Sequence, residues 1–124
     1  MHVARATIAF SLIVGCVAVQ AADDCASRSL TQVDMNACAY QAFQKQDRAL
    51  NALYGELVKQ EDATALKQLQ AAQRAWLQFR DLECVYETPD VDGSIAPLER
   101  ANCLAELTRE RILDFRRVLA DKPR

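Results

Sequence analysis

Three segments of this chain place apolar residues three and four positions apart and contain almost no helix breakers, a pattern that restricts the fold more than any other feature. In the first, Met35, Cys38, Ala42, Leu50, Leu53 and Leu57 recur at helical spacing, and Ala39, Phe43 and Tyr54 widen the stripe. In the second, Leu66, Leu69, Ala72, Trp76 and Phe79 form one face, with Leu77 and Cys84 on a neighbouring one. In the third, Leu98, Ala101, Ala105, Thr108, Ile112, Phe115 and Leu119 follow a regular heptad, broadened by Leu104, Leu107 and Val118. Alternation of the kind a strand needs is absent from all three.

The boundaries are also written locally. Thr31-Gln32-Val33-Asp34 has the form of an N-cap with an acidic residue three positions on, so the first helix is predicted over residues 32 to about 60. Gly55 inside it costs about 1 kcal/mol relative to alanine and marks either close packing or nothing. Residues 61–63 read as a turn in which Asp62 caps the second helix. That helix ends near Tyr86, because Pro89 restricts Thr88 and cannot continue the hydrogen-bond ladder. Residues 88–97 are the one real loop, and the third helix starts at about Leu98. Three long amphipathic helices with short connections have one economical solution: an all-α antiparallel bundle with each stripe turned inward.

Residues 1–21 read as an address rather than as part of that bundle. Arg5 precedes an apolar run over residues 6–18, and Val19-Gln20-Ala21 offers the small residues of a signal-peptidase site. Cleavage after Ala21 leaves residues 22–124 as one small helical domain. Loss of Arg5 takes 15 Lys+Arg to 14, against 17 Asp+Glu, for a net charge of −3. The only histidine, His2, leaves with the leader, which removes Ser-His and Cys-His catalysis and histidine metal ligation from the mature chain. Mild acidity gives no support to nucleic-acid binding, and no second apolar run is long enough to span a membrane. A periplasmic or secreted product is expected. The alternative is a lipoprotein, since Ile13-Val14-Gly15-Cys16 has the form of a lipobox that would anchor the chain through Cys16.

Cys25, Cys38, Cys84 and Cys103 remain after cleavage, and an even number in a short exported chain reads as two disulfides. A four-thiolate zinc site is the rival, but its short C-x(2–4)-C pairs are absent. Of the three possible pairings, the helix boundaries favour Cys25–Cys38 and Cys84–Cys103. Cys84 near the end of the second helix and Cys103 early in the third meet across the loop, and Cys25 staples the N-terminal segment onto the first helix. Each bridge is worth about 3 kcal/mol by chain entropy.

Few residues suggest chemistry. Asp90-Val91-Asp92-Gly93-Ser94 fails the calcium-loop pattern, since the sixth position counted from Asp90 is Ile95 and the twelfth is Ala101, and it reads as a turn. Glu83, Glu87 and Glu99 show no spacing that sets one as a raised-pKa acid beside an ionised partner. Trp76 reads as core, and Gln73 as a polar group that would be hydrogen-bonded across helices if buried. Arg80 and Asp81 read as a solvated flank, with Glu83 a partner in reach of Arg80 or a charged side chain on the third helix a partner for Asp81. No metal or cofactor is expected.

The order of motifs carries a resemblance. Leu30-Thr31-Gln32, Met35-Asn36, Cys38, Asp47, Leu50-Asn51 and Tyr54 are followed by Ala72-Gln73-Arg74-Ala75-Trp76-Leu77, Phe79-Arg80-Asp81 and Cys84, then by Cys103, Leu107-Thr108 and Arg111. From Cys25 to about Leu119 the chain resembles the N-terminal domain of the LprI-type lysozyme inhibitors, small exported bacterial proteins. The recurrent positions of that family correspond here to Gln32, Asn36, Asp47, Asn51, Gln73, Trp76, Arg80, Asp81, Thr108 and Arg111. The resemblance implies a non-enzymatic binding protein with lysozyme as the named candidate target, and supplies no catalytic residues. The alternative is a periplasmic structural or stress-related interaction module without lysozyme activity. For a cleft-binding role the loop over residues 87–97 is the natural element, with Glu87, Asp90, Asp92, Gly93 and Ser94 as candidate contacts and Arg80 and Asp81 as a second candidate patch.

Overall fold

The computed structural model describes Cys25, residues 31–88 and residues 93–122. Residues 1–21, expected to be a leader, with Cys16 among them, and the two loop aspartates Asp90 and Asp92 lie outside the described residues. Three helices follow one another: α1 (Gln32–Gln60), α2 (Ala63–Tyr86) and α3 (Ala96–Asp121). A 3-10 turn, Gly93–Ile95, precedes α3.

The starts of α1 and α2 are set by the residues the sequence singles out. The Thr31 hydroxyl accepts from the Asp34 amide while the Asp34 carboxylate accepts from the Thr31 amide, a reciprocal capping box. The Asp62 carboxylate accepts from the amides of Thr64 and Ala65 at 2.8 and 2.9 Å. Both contacts satisfy amides that the helix leaves without partners. The loop is shorter than expected at its far end: the Gly93–Ile95 turn and the first residues of α3 absorb Pro97, which sits in the first helical turn where its missing amide costs nothing. Gly93 adopts φ +69°, a conformation that favours glycine.

The helices run up, down and up. At one end Asn36 Nδ2 donates to the Ser94 carbonyl at 2.8 Å, tying the start of α1 to the entry of α3. At the other, Lys122 Nζ pairs with the Glu61 carboxylate at 2.8 Å, tying the end of α3 to the α1–α2 turn. Helix α2 runs antiparallel between these ends, and Cys84–Cys103 joins its C-terminal turn to the early turns of α3. Cys25–Cys38 holds the preceding segment to α1. Both bridges are those expected from the helix boundaries, each with a Cα–Cα distance of 5.7 Å.

The apolar core lies between α1 and α3, where Leu50 and Leu57 meet Ile112 and Phe115. Leu50 is fully buried, and burial of each such side chain contributes about 1.5–3 kcal/mol. Ala49, Leu53, Tyr54, Leu69, Trp76 and Leu119 pack around that centre. The stripes expected on α1 and α3 are largely those that turn inward, except that Ala42 and Val118 are exposed.

Helix α2 departs from expectation. Its buried residues are Gln73, Arg80 and Cys84, whereas Ala72 is exposed and Phe79 is 49% exposed. The helix is therefore turned about its axis so that a partly polar face packs inward. The cause is chemical: Cys84 is bonded toward α3, and Arg80 finds its partners inside the bundle.

Candidate interaction surface

Arg80 organises the interior on the α2 side. Its Nη1 lies 3.1 Å from Asp47 Oδ1 on α1 and 3.4 Å from Thr108 Oγ1 on α3. Its Nε donates to the neighbouring Asp81 at 3.0 Å. The guanidinium lies 5.2 Å from the Phe43 ring centre and 5.3 Å from that of Trp76. One side chain thus touches all three helices. With its side chain only 9% exposed, Arg80 is not the solvated flank residue expected, and its carboxylate partners are Asp47 and Asp81 rather than Glu83.

A second guanidinium extends this layer. Arg111 lies 4.5 Å from the Phe115 ring centre and 5.7 Å from that of Trp76, and its Nε donates to Gln73 Oε1 at 3.3 Å. Burial lowers the Arg111 pKa from its ordinary value, and the Asp114 carboxylate acts in the opposite direction. Gln73 thus makes the cross-helix hydrogen bond foreseen for it. Asn51 Nδ2 donates to Asp47 at 3.2 Å, and the Thr108 hydroxyl donates to the Leu104 carbonyl at 2.6 Å. Among the described residues every buried side-chain polar atom has a partner.

These contacts give the positions that carry the resemblance an architectural role. Asp47, Gln73, Trp76, Arg80, Thr108 and Arg111 form one layer through the bundle with Asn51 and Asp81 at its exposed rim, while Gln32 donates to Asn36 and Asn36 donates to the Ser94 carbonyl before α3. Such a layer fixes how the helices rotate against one another. Among the described residues all four cysteines, Cys25, Cys38, Cys84 and Cys103, are in disulfides.

The remaining candidate contacts sit where α2 gives way to α3. Glu87 is exposed, and its amide caps the helix by donating to the Glu83 carbonyl at 2.8 Å. Thr88 Oγ1 donates to the Cys84 carbonyl at 2.6 Å. Gly93 and Ser94 are exposed, with the Ser94 carbonyl held by Asn36. Both ends of the connection are therefore anchored, one through Cys84–Cys103 and the other through α1. An open pocket of about 460 Å³ beside Cys25–Cys38 is bordered by Lys45 and Arg48, both solvent-exposed.

The reading from sequence missed the outward apolar face of α2. Phe79, Leu82 and Tyr86 are 49, 61 and 76% exposed. The signal was available: once Cys84 faces α3, helical geometry turns Leu82 and Tyr86 away from the bundle.

Residues 22–115 match the family model described as Lysozyme inhibitor LprI. The chain is also 33% identical over 129 residues to an uncharacterized protein of Rhizobium meliloti (strain 1021), a similarity covering 90% of this chain and 92% of that one. No solved structure matches it.

Proposed function

The chain belongs to the LprI lysozyme-inhibitor family, whose members are non-catalytic binding proteins, and from that premise we propose that it acts outside the cytoplasm by binding a lysozyme and occluding its cleft. The observation that carries this reading is the anchored connection between α2 and α3. Its base is held by Cys84–Cys103 and by the Asn36–Ser94 hydrogen bond. A connection pinned at both ends loses less conformational freedom on binding than a free loop. Glu87, Asp90 and Asp92 give it acidic character suited to a basic enzyme, and Gly93 permits the chain to turn. Arg80 is excluded from the contact set by its burial, whereas the exposed Asp81 stays available to a partner.

No helix among the described residues is long and apolar enough to cross a membrane. Export through residues 1–21 delivers a periplasmic or secreted protein. Retention through a lipid on Cys16 is the alternative, distinguished by mass spectrometry of the mature N-terminus.

The test is muramidase rate against several lysozyme types with the purified oxidised protein. Inhibition is expected at low salt, weakened by Asp90→Ser/Asp92→Ser with helicity unchanged, and weakened in wild type as ionic strength rises. Equal inhibition constants for the two proteins at both salts would remove the loop from the contact. No inhibition of any lysozyme would leave the second reading, an envelope interaction module. That reading draws on the use of Asp47, Gln73, Arg80, Thr108 and Arg111 to hold the helices together, which serves the architecture whatever the partner.

A further inference from the structure

The two disulfides stand in opposite surroundings. In Cys84–Cys103, Cys84 is fully buried and Glu87 Oε2 lies 3.3 Å from Cys103 Sγ. A disulfide sulfur carries no proton, so this contact sets a carboxylate against the less buried half of the bridge. Cys25 and Cys38 are both partly exposed, and the pocket of about 460 Å³ opens beside them. The nearest polar group given to Cys25 Sγ is neutral, the Gln41 Oε1 at 3.8 Å. Lys45 and Arg48 line the same pocket, and among the described residues neither makes an ion pair. They stand seven and ten residues after Cys38, about 10 and 15 Å along α1, and helical side chains lean back toward the N-terminus.

We propose that Cys25–Cys38 is a site of thiol–disulfide exchange for small thiols bearing carboxylates, and that Cys84–Cys103 is the bridge such exchange leaves intact. Exchange needs a thiolate to reach one sulfur and the other sulfur to depart as a thiolate. At Cys84–Cys103 an anionic nucleophile meets Glu87, and Cys84 must depart in a buried site that disfavours its charge. At Cys25–Cys38 neither obstacle stands. Asp23 and Asp24 precede Cys25 in the chain and repel an anion there, which assigns the attack to Cys38. The incoming sulfur bonds to Cys38 Sγ, the bond to Cys25 breaks, and Cys25 leaves as a thiolate that takes a proton from water. A second small thiolate then displaces Cys38 from the mixed disulfide. The products are two protein thiols and one oxidised small-thiol dimer, so the small thiol is the reductant throughout. Lys45 and Arg48 meet carboxylates set apart from the attacking sulfur, which is why the class is a short acidic peptide thiol.

Opening this bridge frees the segment before α1 without dismantling the bundle. The Thr31–Asp34 box and the Asn36–Ser94 hydrogen bond hold the start of α1 independently of it. Cys25–Cys38 is thus a redox-sensitive tether, and its exchange does not depend on what the α2–α3 connection binds.

Timed exposure of the mature oxidised protein to millimolar reduced glutathione tests the proposal, with acid quenching, alkylation and peptide mapping of each bridge. Cys25–Cys38 is expected to open roughly tenfold faster than Cys84–Cys103 or more, with glutathione on Cys38 in the trapped intermediate and helicity retained. Lys45→Glu/Arg48→Glu should slow glutathione about threefold, an effect that salt screens, and should leave the cationic thiol cysteamine as fast or faster. Equal rates at the two bridges, earlier opening of Cys84–Cys103, or no exchange at either would overturn the proposal. So would glutathione trapped on Cys25, or a charge-reversed variant that responds alike to both thiols.

Discussion

Replacing Arg80 by alanine tests whether a buried cation, rather than apolar surface, fixes the position of α2. The substitution removes the contacts to Asp47, Asp81 and Thr108 and the contacts with the Phe43 and Trp76 rings. Stranding one member of a fully buried ion pair costs about 3–5 kcal/mol. Here the Asp47 and Asp81 side chains are 35 and 57% exposed, so each carboxylate regains water and that full penalty is not reached. Two ring contacts at about 0.5–1 kcal/mol each and burial of the aliphatic stem at about 1 kcal/mol account for most of what remains. The expected destabilisation is about 3 kcal/mol, equivalent to roughly 12–24 °C in Tm for a domain of this size. Arg80→Met keeps the stem and should lose about half as much. Urea unfolding of the oxidised protein followed by far-UV circular dichroism reads both variants, and a double-mutant cycle with Asp47→Asn isolates the pair. A change below about 0.5 kcal/mol for Arg80→Ala would show the guanidinium to be solvated and would refute the reasoning.

Three further outcomes are expected. Gly55→Ala should stabilise by about 0.5–1 kcal/mol, read as a rise in the urea midpoint, because a Cβ at that helical position meets nothing within 4 Å. The two amides donated to Asp62 hold its carboxyl below the ordinary value of 3.8, so its contribution to stability is present above that pH and is lost as pH falls through the lower folded-state value. Asp62→Asn should flatten that part of an acid titration of Tm. Trp76, packed at the edge of the core, should cost about 2–3 kcal/mol on replacement by alanine, less than a fully enclosed tryptophan. Its fluorescence should be quenched more by iodide than by caesium, since the Arg80 and Arg111 guanidinium groups flank the ring.

Everything settled by neighbours in the chain was legible without coordinates. The Thr31–Asp34 box, the Asp62 cap and the stop before Pro89 act over three or four residues, and the helix bounds follow from them. The disulfide pairing was legible for the same reason, since helix ends alone bring Cys84 to Cys103. The rotation of α2 was a different matter. Its sequence carries two apolar arcs of comparable size, one through Leu69 and Trp76 and one through Phe79, Leu82 and Tyr86. Counting hydrophobic residues does not choose between them. The choice was made by groups distant in sequence: Asp47 and Phe43 on α1 and Thr108 and Cys103 on α3 draw Arg80 and Cys84 inward. A cation can be buried only where carboxylates and ring faces converge on it, and such convergence exists only once the helices have packed. The sequence alone determined where the helices lie and which cysteines join. The tertiary structure decided which side of α2 faces the bundle, and so which apolar face was left to the solvent.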